Sequence, residues 1–294
     1  RAEMLSLQQT EESVAYLSGD LRLMLSAWFD IGLLELVRID WDSSASLLEK
    51  LIAYESVHAI KSWDDMKNRL DVDRRCYGFF HPNMPNEPLI FVQVALVDGI
   101  SQDVSELLDE TKPSVDPSEA NTAIFYSISN AQRGLDGISF GNFLIKQVVE
   151  ELSKELPNLK TFSTLSPIPG FSKWLFSQIK EDESDLLTTS DRKKLSRYSK
   201  SQTDAEILTD VFDHMNLKTN GDPETDKELK DVFIKLAAIY LVAQKGKNGR
   251  VLDPVGHFHL SNGARIERIN WNADKSERGR EQSFGLMVNY LYNL

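Results

Sequence analysis

Ser166 lies in the run Ser163-Thr164-Leu165-Ser166-Pro167-Ile168-Pro169-Gly170, where a strand should end. The two prolines fix φ and remove N–H donors, so the loop is stiff and can aim a hydroxyl. A capping serine at an ordinary strand exit is the plainer alternative. No G-x-S-x-G elbow occurs, which disfavours a serine hydrolase of the α/β-hydrolase type. Gly256-His257-Phe258-His259-Leu260 offers two imidazoles. In a strand, alternation would put His257 and His259 on one face, where they could bind a metal or divide proton donation and structural support. No third ligand is close in sequence, and the single cysteine, Cys76, excludes an intrachain disulfide and a multi-Cys zinc site. No metal is expected. His58 and His214 read as structural.

A second kind of chemistry is anion binding. Asp136-Gly137-Ile138-Ser139-Phe140-Gly141-Asn142 falls between a β-like run and a long helix. Its glycines let backbone approach a ligand, and a helix start presents unpaired N–H groups that suit a pyrophosphate. An ordinary strand-to-helix turn is the alternative, and the segment fits neither a P-loop nor a GxGxxG fingerprint. Near the C-terminus, Asn289, Tyr290 and Tyr292 share a predicted helix, where aromatics at helical spacing read as core.

These residues must be positioned by a globular chain. Hydrophobic residues at 41% and charged residues at 27% exclude disorder and fibrous repeats. The longest apolar runs, Leu89–Leu96 and Leu236–Val242, are far short of the ~20 residues that span a bilayer, so a soluble protein is expected. A net charge of −12 argues against nucleic acid and anionic membranes as partners. No signal-peptide pattern is legible, and a start at Arg1 fits a processed or trimmed chain.

Periodicity predicts helix over 1–33, through Leu17, Leu21, Met24, Leu25 and Trp28, then a strand over Leu34–Trp41. A helix capped at Asp42 or Ser43 and a short one at Ser62-x-x-Asp65 follow. Strands are predicted over Arg74–Phe80, Glu87–Val97 and Thr122–Ser129, with a loop over 98–118. Phe140–Leu156 is the clearest helix, with Phe140, Phe143, Leu144, Val148, Val149 and Leu152 on one stripe. A strand over Leu159–Leu165 and a helix after Pro169-Gly170 come next. Residues 180–228 read as a polar, irregular or loosely helical insertion, before an apolar helix over Leu229–Ala243. Val255–Leu260 and Ala264–Ile269 flank Ser261-Asn262-Gly263 as a hairpin, and a last helix covers Gln282–Tyr292. The fold class is α/β (α+β) with a mixed sheet, and the element order resembles the acyl-CoA-binding fold of the GNAT acetyltransferases.

Taken together, the motifs resemble the malonyl-CoA decarboxylase family from about Val37 to Tyr292, outside the polar insertion. Phe125-Tyr126-Ser127-Ile128-Ser129, Gly134-Leu135-Asp136-Gly137, Phe143-Leu144-Ile145-Lys146 and Leu165-Ser166-Pro167-Ile168-Pro169-Gly170-Phe171 carry it. So do Arg74-Arg75-Cys76, Phe258-His259-Leu260-Ser261-Asn262-Gly263-Ala264, Arg268-Ile269-Asn270-Trp271 and Gly285-Leu286-Met287-Val288-Asn289-Tyr290. The resemblance implies a GNAT-like catalytic domain over 34–294, preceded in 1–33 by the end of a helical domain. It implies conversion of malonyl-CoA to acetyl-CoA and CO2, with no cofactor beyond the CoA of the substrate. It puts the CoA-binding loop on Asp136–Asn142, the catalytic serine on Ser166 and the catalytic histidine on His259. Ser127 and Tyr292 match supporting residues. Ser139 departs from the pattern, since animal members carry an acidic residue there.

A thioester is its own electron sink, so the protein need only orient and desolvate the carboxylate, stabilise the oxyanion and deliver a proton. An imidazole with an unperturbed pKa of ~6.5 suits that last step. A CoA-dependent acyltransferase on the same fold and a non-catalytic acyl-CoA sensor are the rival functions. The family tends to self-associate, so a homo-oligomer (dimer or tetramer) is expected. The compartment expected is the cytoplasm for a bacterial protein, and the mitochondrion or peroxisome for a eukaryotic one. The C-terminal Tyr292-Asn293-Leu294 is not an SKL signal.

Overall fold

Serine side chains start two of the early helices: Ser44 accepts from the Leu47 N–H and Ser62 from the Asp65 N–H, each satisfying an orphan donor of a first turn. The structure, a computed structural model, describes residues 1–7, 12–135, 138, 143–179, 186–201, 203–217, 223–246 and 249–293. The chain divides into two units. One comprises Arg1–Ser101, Glu106–Thr164 and Tyr292–Leu294, and the other Gln102–Ser105 and Leu165–Leu291.

The first unit opens with helices α1 (Ala2–Leu7) and α2 (Glu12–Trp28), strand β1 (Glu35–Ile39), and helices α3 (Ala45–Tyr54) and α4 (Trp63–Asn68). Strands β2 (Arg74–Phe80) and β3 (Pro88–Val97) follow, then the single turn α5 (Val104–Leu107), whose first two residues count with the second unit, and β4 (Thr122–Asn130). Helix α6 (Phe143–Glu155) crosses to β5 (Thr161–Thr164). The strand order is β1-β2-β3-β4-β5. Neighbours are antiparallel until β4 and β5, which run parallel across the α6 connection, so the sheet is mixed, as expected. α6 buries Leu144, Val148, Val149 and Leu152 of the expected stripe, and Ile145 with them. A bulge opposite Gln93 and Val94 makes Tyr126 the extra residue of β4. Tyr126 and Ser127 therefore both reach the polar groups beside Gln93.

The second unit holds β6 (Ser166–Pro167), α7 (Phe171–Ile179), α8 (Thr189–Leu195), α9 (Asp204–Leu217) and α10 (Pro223–Ala238), which ends in a π turn over Ile239–Ala243. Then come α11 (Pro254–Ser261), β7 (Ala264–Asn270), α12 (Glu277–Ser283) and β8 (Met287–Tyr292). β8 pairs with both β6 and β7. Phe284 packs against Phe171, Phe176, Phe212 and Phe233. Its backbone is left-handed (φ 55°), a conformation a bulky residue holds only when packing over-determines it.

Two expectations are corrected here. Val255–Leu260 is not a hairpin strand but lies in α11, because Asp253 caps the first turn and Pro254 supplies a preset φ at its start. Ser261-Asn262-Gly263 does turn the chain, but from helix to strand. The expected helix over Gln282–Tyr292 stops at Ser283, where Phe284 and Gly285 (φ 75°) reverse the chain into β8. β8 is buried on both faces, so it lacks the alternation that marks a half-buried strand. The described part of 180–228 is helical, with Ile207, Leu208 and Val211 of α9 buried as a narrow stripe among polar residues. Among the described residues no helix is long and apolar enough to cross a membrane.

Candidate active site

Strand β6 is only two residues long, yet it fixes Ser166 opposite Val288 and Pro167 opposite Met287 on β8. α11 carries His259. On a helix, two residues are about 200° apart, so His257 and His259 face opposite ways. His259 is buried and His257 half-buried. The structure brings Ser166 Oγ to 3.0 Å from His259 Nε2. Both residues are shielded, at 6% and 3% exposure, so the hydrogen bond sits in a site closed to bulk water.

β8 also covers the imidazole. Tyr290 stacks on His259 with ring centroids 4.6 Å apart and planes inclined by 26°. Gly256, one helical turn before His259, makes room for it, since a Cβ there would lie 3.0 Å from Tyr290 Oη. Phe258 meets His259 edge-on at 5.1 Å. This enclosure lowers the His259 pKa from 6.5 to about 3, through desolvation of the imidazolium. At neutral pH the imidazole is uncharged. That changes the expectation of a histidine ionising near its ordinary value. A hydroxyl paired with a neutral imidazole can donate a hydrogen bond to a developing oxyanion and hand on a proton, without holding a ground-state carboxylate in a strong ion pair.

Asn289 lies on β8, where its Oδ1 accepts from Asn270 Nδ2 at 2.7 Å and Arg268 Nη2 at 3.2 Å. Tyr292, at the end of β8, is buried, which raises the pKa of its phenol. Ser127 belongs to the first unit and donates to the Glu55 carboxylate at 2.9 Å. Glu55 also accepts from Ser129 Oγ (3.0 Å), Gln93 Nε2 (2.8 Å) and the Val57 N–H (2.8 Å). Of the predicted anion loop, Asp136, Gly137, Ser139, Phe140, Gly141 and Asn142 lie outside the described residues. Ile138 is buried, and its N–H donates to Leu135 O at 2.9 Å.

Sequence reasoning missed Glu55 and the contact of Tyr290 with His259. Glu55 carries no local signal, because its partners come from positions up to 74 residues away. The Asp253-Pro254 pair was the signal that would have put His259 on a helix.

The family model of the malonyl-CoA decarboxylase C-terminal domain matches residues 32–294. The mitochondrial malonyl-CoA decarboxylase of Anser anser anser is 43% identical over 288 residues, covering 96% of this chain and 56% of that relative. The mitochondrial enzyme of Rattus norvegicus is 42% identical, covering 100% of this chain and 61% of its own length. The crystal structure of malonyl-CoA decarboxylase from Rhodopseudomonas palustris aligns with TM-score 0.88 and 47% identity, over 100% of this chain and 68% of that one. That from Cupriavidus metallidurans aligns with TM-score 0.82 and 48% identity, over 99% and 69%. The chain thus spans somewhat over half the length of these curated relatives. On the family match and these identities, the chain belongs to the malonyl-CoA decarboxylase family and contains its C-terminal domain.

Proposed function

We propose that this chain carries the active site of a carboxy-lyase that converts malonyl-CoA to acetyl-CoA and CO2. The observation that carries this reading is the buried Ser166–His259 hydrogen bond, within a chain matching the family's C-terminal domain. The bond between the α-carbon and the carboxylate carbon breaks, and CO2 leaves. The electron pair passes into the thioester carbonyl as an enolate, and the α-carbon then takes one proton. Ser166 stabilises the oxyanion or orients the carboxylate, and the Ser166–His259 pair relays to the α-carbon a proton that solvent replaces. The neutral state of His259 supports these roles: a cation there would stabilise the starting carboxylate more than the transition state, in which that charge is leaving.

Asp136–Asn142 would hold the CoA pyrophosphate at the start of α6, and Ser127 and Tyr292 would support the site. No metal or organic cofactor is required by this route, since the thioester accepts the electrons. Residues 1–33 would be the end of a helical domain, and the protein a dimer or tetramer. Its compartment would be the cytoplasm in a bacterium, or the mitochondrion or peroxisome in a eukaryote.

Incubating the protein with malonyl-CoA and no acceptor, with products identified by mass, tests the reaction. Acetyl-CoA and CO2 are expected. Free CoA released only on adding an amine would mean an acyltransferase, and unchanged malonyl-CoA a sensor.

A further inference from the structure

Asp253 is fully buried, and among the described residues no lysine, arginine or histidine forms an ion pair with it. Burying a carboxylate without a cation is costly, and burial raises its pKa. Capping α11 does not by itself require that charge, because serine, threonine or asparagine caps a helix as well. The contacts give a further reason. Oδ1 accepts from the Gly256 N–H at 2.8 Å, in the first turn of the helix that carries His259. Oδ2 accepts from Tyr240 Oη at 3.3 Å, on the π turn that ends α10. The backbone N–H groups of Val255 and Gly170 also donate to the carboxylate.

Gly170 closes the Ser166-Pro167-Ile168-Pro169-Gly170 loop. Two prolines stiffen that loop, so holding Gly170 limits where Ser166 can go. Tyr240 presses on the same point: a Cβ on Gly170 would collide with Tyr240 Oη. The Tyr240 ring is itself held by Trp174, with centroids 5.1 Å apart. π turns recur at functional sites because they re-aim one side chain out of helical register. Here the turn aims a hydroxyl at a carboxylate between two catalytic segments.

We infer that Asp253 is a positioning residue that ties the loop of Ser166 to the helix of His259 and so sets the Oγ–Nε2 contact on which turnover depends. The inference rests on the proposed roles of Ser166 and His259. Asp253 touches no reacting atom. It acts through both members of the pair at once, with Tyr240 fixing its second oxygen.

Asp253→Asn separates this role from simple capping, since the amide oxygen can still cap Gly256 while the NH2 cannot accept from Gly170 or Tyr240. In the full chain, Asp253→Asn should lower kcat by about 10–100-fold with KM within about two-fold, as misplacement of catalytic groups does. Tyr240→Phe, which removes one hydroxyl and no charge, should lower kcat by about 3–10-fold, again without a KM change. In a Ser166→Ala background both losses should shrink to near nothing, because the contact they preserve is already gone. Wild-type kcat in Asp253→Asn, or a full loss retained in the Ser166→Ala background, would overturn the inference alone. If Asp253→Asn does not fold, Tyr240→Phe in the two backgrounds decides in the same way. Normal turnover in Ser166→Ala and His259→Asn would overturn the pair, and this inference with it.

Discussion

The phenol ring of Tyr290 lies against the imidazole of His259 at 4.6 Å, nearly parallel to it. One strand, β8, thus supplies both the lid on the imidazole and the partner that holds Ser166 in register. Replacing Tyr290 by leucine should cost roughly 0.5–1.5 kcal/mol beyond the lost buried area. It should also admit water to His259 and move its pKa up from about 3 towards 6.5. An NMR titration of the His259 ring proton reads this, and an unchanged midpoint would refute the desolvation account.

His259→Asn should retain the fold and acyl-CoA binding and lose turnover by about 10²–10⁴-fold, the usual range for a proton-transfer group. His257→Asn should lose far less, because α11 turns that side chain to the opposite face. Malonyl-CoA turnover beside acetyl-CoA affinity for both variants checks the assignment. Near-normal turnover in His259→Asn would require another proton donor.

The pH dependence follows from the depressed pKa of His259. A group that ionises at about 3 cannot produce a limb in kcat/KM near 6.5, so the profile should carry no His259 limb between about pH 5 and 8. Stability has a definite sign. Between about 3 and 6.5 the unfolded imidazole binds a proton that the folded one refuses, so this contribution is complete above 6.5 and is lost as pH falls. Asp253, whose carboxyl pKa is raised, opposes this above its ordinary value of 3.8. Subtracting the stability curve of His259→Asn from that of the wild type isolates the histidine, and a difference independent of pH would contradict its burial as a neutral ring.

Gly137→Val and Gly141→Val should weaken acyl-CoA affinity by obstructing the approach of backbone N–H groups to the pyrophosphate. Calorimetry on the folded variants is the test. Unchanged affinity in both would remove the loop from the site.

Glu55 should behave as a structural keystone of the first unit. Glu55→Ala leaves Ser127, Ser129, Gln93 and backbone donors buried without their acceptor, at a cost of about 3 kcal/mol or more. Ser127→Ala removes one donor, for about 1 kcal/mol. Denaturant unfolding measures both. A loss of turnover in Ser127→Ala larger than its loss of stability would tie this network to catalysis.

The sequence by itself determined the strand Arg74–Phe80, the cap at Ser62, the buried stripe of α6, and the family, whereas the cap of α3 fell on Ser44 and not on Asp42 or Ser43. These are local signals: a cap needs one side chain and the next turn, and a stripe needs only a fixed period. Tertiary structure decided where alternation and helical period competed. Val255–Leu260 alternates as a strand would, yet the Asp253 cap and the room at Gly256 for Tyr290 hold it as helix. β8 shows no period because both its faces are buried. Only the fold brings Ser166 and His259, 93 positions apart, to hydrogen-bonding distance, and only the fold dries the imidazole. Contact and desolvation depend on what packs around a residue, and for His259 the packing comes from Tyr290 on a distant strand, which no window of neighbouring residues contains.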